Sequence, residues 1–135
     1  MNVENQVHPS PENVKGFVAV EGPVAMVNLL KFKDRAEYKD GRETELSGRE
    51  AYSLYATEMK KLVEGSGGRF IFSAHVKNLL LGKVDELWDS VGIVEYPTSK
   101  DLIRISASPE FQQIEVHREA GLAGQLNITC QEGTL

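Results

Sequence analysis

The sequence holds one cysteine, one tryptophan and three histidines in 135 residues. A lone Cys130 excludes an internal disulfide and points to a reducing, cytoplasmic compartment. His8, His75 and His117 show no metal-ligand spacing, so neither a metal nor another cofactor is expected. No apolar run approaches the roughly 20 residues that span a bilayer. The start, MNVENQVHPSPENVKG, lacks the basic and apolar regions of a secretory signal, so no membrane association is expected. Basic residues cluster no further than Lys60-Lys61 and the net charge is −5, which argues against nucleic acid and anionic membrane as partners. A glycine-rich phosphate loop and a Gly-x-Ser-x-Gly nucleophile elbow are both missing.

What is present is an ordinary globular composition, 41% hydrophobic and 26% charged. A chain of this length buries about two thirds of its unfolded surface, enough for one domain without a metal or disulfide. Residues 1–9 are polar and expected to be a flexible segment, leaving 10–135 as a single domain. Ser10-Pro11-Glu12 supplies an N-cap, a first-turn proline and an acid for a short helix over about 10–20. Val24 to Phe32 reads as the first strand. The polar loop 33–47 is the length of a lid or a disordered insertion. Ser47-Gly48-Arg49-Glu50 has capping-box spacing. Ala51, Leu54, Tyr55, Met59, Leu62 and Val63 then form a helical stripe that ends at Gly65-Ser66-Gly67-Gly68.

Arg69 to Leu81 alternates as a second strand, followed by a hairpin over Gly82 to Glu86 and a third strand from Leu87 to Tyr96. Thr98 and Ser108-Pro109-Glu110 open two further helices, and Gln125 to Gln131 is the last strand. Strand, helix, strand, strand, helix, strand is the split βαβ order of an α+β ferredoxin-like fold, with an antiparallel sheet covered by helices on one face.

Side chains alternate along strands, so parity assigns each residue to the helix-covered or the open face. The even residues Phe70, Phe72, Ala74 and Val76 are placed inward, leaving Arg69, Ser73, His75 and Lys77 outward. Leu126, Ile128 and Cys130 are placed inward on the last strand; Val94 and Tyr96 inward, with Val91, Ile93 and Glu95 outward, on the third. The first strand offers two sets. The smaller one, Ala25, Val27 and Leu29, suits close helix packing, which puts Met26, Asn28 and Leu30 on the open face. With Leu81 opposite Leu87, Asn28, His75 and Glu95 then fall in one patch. An open face that is this apolar predicts a homodimer formed through it.

PVAMVNLLKF, SGREAY, the GG-R-F before the second strand, VGIVEYP, and SPEF followed by Arg118 together resemble an uncharacterised family, a domain of unknown function, of the dimeric α+β barrel superfamily. The likeness runs from about Ser10 to Gln131. It implies a ferredoxin-like subunit whose sheet packs on that of a partner. The superfamily includes haem-degrading and cofactor-free monooxygenases as well as members with no known activity.

Asn28 is an amide in an apolar strand, costing roughly 1–3 kcal/mol if buried without a partner. It either fixes register by pairing internally or orients a ligand. His75 suits general acid–base work near neutral pH, oriented by Glu95, and each has a structural alternative: a solvated or paired histidine, and a salt bridge from Glu95 to Lys77 or Arg69. Ser73, Arg69, Tyr55, Trp88 and Arg118 complete the candidate ligand-binding set, Arg118 as a carboxylate binder. Three functions follow: binding or transforming a small organic molecule in a metal-free pocket, a non-catalytic assembly module, or haem-degrading oxygenase chemistry by analogy with the superfamily.

Overall fold

The computed structural model describes residues 2–135. The elements are α1 (Pro11–Val18), β1 (Val24–Phe32), α2 (Gly48–Gly65), β2 (Arg69–His75), β3 (Ser90–Tyr96), α3 (Ser99–Ser106), α4 (Pro109–Gly121) and β4 (Leu122–Cys130). All the cap residues act as the sequence indicates. Ser10 and Ser108 accept from the backbone N–H three residues on, ahead of a first-turn proline. Ser47 and Glu50 close both halves of a capping box, at 3.1 and 2.9 Å. Thr98 and Asp101 repeat it on α3. No helix among the described residues is long and apolar enough to cross a membrane.

Four antiparallel strands lie in the order β2-β3-β1-β4, the ferredoxin-like arrangement, with the helices on one face. Helix α2 buries Ala51, Tyr55, Met59 and Val63. A spacing of four drifts around the helix toward Tyr52, which leaves Leu54, expected in the stripe, 46% exposed on the far side.

Three sequence expectations change. The hairpin over Gly82 to Glu86 does not form: β2 ends at His75, β3 begins at Ser90, and residues 76–89 are a loop. Asp89 ties that loop to β1, donating its N–H to the Leu30 carbonyl (2.7 Å) and accepting from the Phe32 N–H (2.9 Å). Register shifts accordingly, so His75 faces Ser90 and Ser73 faces Gly92, instead of Ile93 and Glu95. A bulge at Ile71, between the pairs Phe70–Val94 and Phe72–Ile93, reverses parity along β2. Phe70 stays on the helix side, but Ser73 and His75 join it, and Phe72 turns out to the open face, 53% exposed.

The third change concerns β1 and β4, whose faces are opposite to those expected. Val24, Met26 and Leu30 are buried in the helix-side core, and Asn28 shares their face. Ala25, Val27 and Leu29 lie opposite Cys130, Ile128 and Leu126 on the open face. Asn127 and Thr129 face the helices with Asn28 and Met26. The inward placement of Val94 and Tyr96 stands, both being buried.

Loop 33–47 is packed, not a free insertion. Ala36 and Tyr38 are buried against Ala51 and Ala120, and the Glu37 N–H donates to the Ala120 carbonyl at 2.9 Å. Tyr38 Oη and His117 Nδ1 share a hydrogen bond of 2.7 Å. Residues 1–9 begin with Met1, outside the described residues, and the remainder is tethered. Gln6 pairs through its backbone with Gln125, and His8 Nε2 lies 3.2 Å from Glu119.

Helices α2 and α4 meet at two glycines. The Lys33 N–H donates to the Gly121 carbonyl (2.8 Å) and the Gly48 N–H to the Lys33 carbonyl (3.0 Å). A Cβ on Gly121 would meet the Gly48 carbonyl and lie 2.9 Å from the Tyr52 nitrogen; one on Gly48 would strike the Lys33 backbone. Backbone atoms cannot move aside as a side-chain tip can, so Gly121→Ala is expected to destabilise by about 1–3 kcal/mol in urea denaturation. A pH effect is also expected. Burial, followed by the nearby Arg42, lowers the pKa of His117 below its usual 6.5. The unfolded chain therefore binds that proton more readily. Stability is expected to be full above pH 6.5 and to decline as pH falls from there toward the folded-state pKa, with a shallower decline in His117→Gln.

Candidate functional site

Because α2 and α4 stand off the sheet, a cleft of about 1030 Å³ opens between them and the helix-side face of β1, β3 and β4. Its walls are largely apolar, including Met26, Met59, Phe17, Phe70 and Phe111. An aromatic row runs along it. Phe32 and Tyr52 have ring centroids 5.4 Å apart, Tyr52 and Tyr55 5.3 Å, and Tyr55 meets Phe111 edge-on at 6.0 Å.

Polar groups converge on this surface from three elements. Arg118 Nη2 on α4 donates to the Gln125 Oε1 (2.8 Å) and to the Val7 carbonyl (2.7 Å). Gln125 Nε2 on β4 donates to Asn28 Oδ1 at 2.7 Å. Asn28 Nδ2 on β1 donates to the carbonyls of Met26 and Gly92, each at 3.2 Å. The awkward amide of the first strand is thus satisfied through both ends of its side chain. It joins β1 to β3 and, through Gln125, to α4. Its internal pairing accounts for its burial without a ligand.

At the other end Arg49, in the first turn of α2, donates from Nη1 to His75 Nδ1 (2.8 Å) and to Ser90 Oγ (3.0 Å), with its guanidinium 4.8 Å above the Phe32 ring. Arginine can only donate, so Nδ1 accepts and the His75 ring proton sits on Nε2. Burial raises the pKa of Tyr52 to about 12 and raises those of Tyr55 and Tyr96 as well. All three phenols therefore remain protonated donors at neutral pH.

The expected candidates divide between two faces. Asn28, Ser73, His75, Tyr55 and Arg118 all line the cleft. Glu95 and Arg69 lie on the open face and pair with each other at 3.0 Å. Glu95 therefore does not orient His75, and the expected patch of Asn28, His75 and Glu95 does not exist. The bulge at Ile71 carries His75 away from Glu95, and the reversed faces of β1 do the same for Asn28. Trp88 lies on loop 76–89, outside the cleft, donating its indole N–H to Asn5 Oδ1 at 2.7 Å. Arg49, Gln125 and Tyr96 were not among the candidates. Arg49 carried no signal beyond its place in a capping box, and Gln125 was hidden by the reversed parity of β4.

Among the described residues one group has the donors for a metal ion: His8, Glu115 and Glu119, at the rim beside Arg118. Lys39 already holds Glu119 at 3.1 Å. The pKa of Glu119 is lowered despite burial, chiefly by Lys39, while that of Glu115 is raised by burial and by Glu119. This arrangement pins the N-terminal segment to α4.

Residues 42–131 match the family described as "Domain of unknown function (DUF1330)". The chain belongs to that family. A solved relative, the methylated RPA0582 protein, is 32% identical over 96% of each chain, with a TM-score of 0.86. The RPA0582 protein of unknown function from Rhodopseudomonas palustris gives the same TM-score at 28% identity, covering 98% of this chain and 100% of that one. More remote structures share the fold alone. A dimeric ferredoxin-like protein of unknown function from Jannaschia sp. CCS1 is 12% identical over 82% of this chain and 100% of its own (TM-score 0.54). SnoaB, a cofactor-independent oxygenase from Streptomyces nogalater, is 16% identical over 85% and 97% (TM-score 0.52). No curated protein matches the sequence.

Within this DUF1330 chain the Arg118–Gln125–Asn28 relay has a measurable consequence. Gln125 is only 8% exposed, and its truncation leaves Asn28 Oδ1 and one Arg118 donor without their partner. Gln125→Ala is expected to cost roughly 1–3 kcal/mol in urea denaturation.

Proposed function

We propose that this protein binds, and acts upon, a small organic molecule in the cleft between sheet and helices, as a homodimer joined through the open sheet face. One observation carries the first part: a roomy apolar cleft into which phenols, amides and two guanidinium groups converge from five elements. Binding sites for small molecules have this composition, apolar walls with a few placed polar groups. Should chemistry occur there, His75 is the group suited to proton transfer, since its Nδ1 is held by Arg49 and Nε2 is left for a substrate.

The dimer reading rests on the open face. Val27, Leu29, Val91, Ile93 and Leu126 form a continuous apolar surface with Ile128, which is 46% exposed. An apolar sheet face of this extent is covered in a stable assembly. The dimeric Jannaschia protein, alike in fold, supports a dimer.

Haem chemistry fits poorly. Of the two histidines that line the cleft, His8 is engaged by Glu119 at the rim, and His75 meets an arginine donor in place of the carboxylate or carbonyl acceptor that usually supports a ligating histidine.

Both halves can be checked on one sample. Light scattering at micromolar concentration is expected to give a dimer, and Ile93→Glu a monomer. Methyl NMR of Met26 and Met59 during a fragment screen is expected to show shifts that identify cleft ligands. A persistent dimer whose cleft methyls respond to no fragment would favour a non-catalytic assembly module, and a stable wild-type monomer would sink the dimer reading.

A further inference from the structure

The chain has six arginines. Arg35, Arg42, Arg69 and Arg104 each have a carboxylate within ion-pair distance: Glu45, Asp40, Glu95 and Asp101. Arg49 and Arg118 have none among the described residues, although both are half-buried, and these are the two that line the cleft. The exposed arginines, which water can solvate, are thus the paired ones. The two half-buried ones have no carboxylate within ion-pair distance among the described residues, Glu115 acting on Arg118 only from farther off. A partly desolvated guanidinium without an anion is costly, and a bidentate carboxylate is the group that best relieves it.

The local geometry fits such a role. On Arg118 the described bonds engage Nη2 alone, and on Arg49 Nη1 alone, all to neutral acceptors. Each guanidinium is therefore oriented by one nitrogen while its remaining N–H groups make no described bond. Orientation before binding lowers the entropy lost when a ligand arrives. The acid nearest in kind, Glu115, also lines the cleft but is drawn toward Glu119 and makes no ion pair with Arg118. Between the two arginines lies the Phe32–Tyr52–Tyr55 row, offering flat apolar surface.

We infer that the cleft selects a flat, largely apolar organic anion, its carboxylate held by Arg118 and its body lying along the aromatic row, with Arg49 serving an acceptor at the far end. This rests on the cleft being the small-molecule site and adds the class of molecule.

The test compares 2-naphthoate with its neutral isostere 2-naphthamide by calorimetry, while NMR of the Met26 and Met59 methyls reports occupancy of the cleft. The acid is expected to bind at least about tenfold tighter than the amide, as a charge-assisted hydrogen bond would give. Arg118→Met is expected to abolish that preference, so that acid and amide bind with equal affinity. Arg118→Lys, which keeps the charge and is the safer variant for folding, is expected to retain only part of it. Equal affinity for acid and amide, with methyl shifts for both, would overturn the anion inference and leave the small-molecule cleft standing. Absence of methyl shifts with either probe would overturn both. A preference for the acid that survives in both Arg118 variants would also overturn the assignment to Arg118.

Discussion

The close crossing of α2 and α4 at Gly48 and Gly121 is the constraint on which the rest of this molecule depends. Two backbones touch there with no side chain between them, and Lys33 bonds to both. The contact draws the two helices together at one end, beside the start of β4. From there Arg49 and Tyr52 project from the first turns of α2, while Arg118 sits one turn back on α4. Side chains at that end of the cleft are therefore positioned by a junction of backbone against backbone. Loop 33–47 reinforces it from outside, with Tyr38 wedged against Ala51 and Ala120 and bonded to His117.

Away from that junction the helices stand off the sheet, and the space must be spanned by long side chains. This explains the assignment of faces in β1. Val24, Met26 and Leu30, the bulkier set, reach toward Tyr55, Met59 and Val63. Ala25, Val27 and Leu29 go to the open face. Close helix packing would have demanded the reverse, and it does not occur because the protein keeps a cleft there. The same gap explains why polar residues are affordable on the helix side of β4. Gln125, Asn127 and Thr129 border a cavity, and the one that is truly buried, Gln125, is bonded at both ends of its amide.

Asn28 illustrates how the fold satisfies a polar residue that borders the cleft. Its amide satisfies two carbonyls and takes a donor from Gln125, so it incurs no desolvation penalty. In doing so it links Arg118 to the centre of the sheet. A guanidinium held in this way is part of the cleft wall, unlike the exposed ion pairs of Arg35 and Arg42. Glu95 plays the complementary role on the other face, where its pairing with Arg69 places a polar edge on an otherwise apolar surface.

Sequence alone determined the element order, the caps, the first strand to the residue, and the ferredoxin-like class, because these depend on neighbours within a few positions. It also marked Asn28, Ser73, His75, Tyr55 and Arg118, five residues that do border the cleft. Tertiary structure decided which of the candidates share a face. One bulge at Ile71 and a loop where a hairpin was expected moved His75 to the helix side and separated it from Glu95. Side-chain parity in a strand has a period of two, so a single inserted residue reverses every assignment beyond it. No local pattern announces that residue. Arg49 remained hidden for a related reason: that it borders the cleft with no carboxylate in ion-pair reach among the described residues is a property of the assembled fold and of no stretch of sequence.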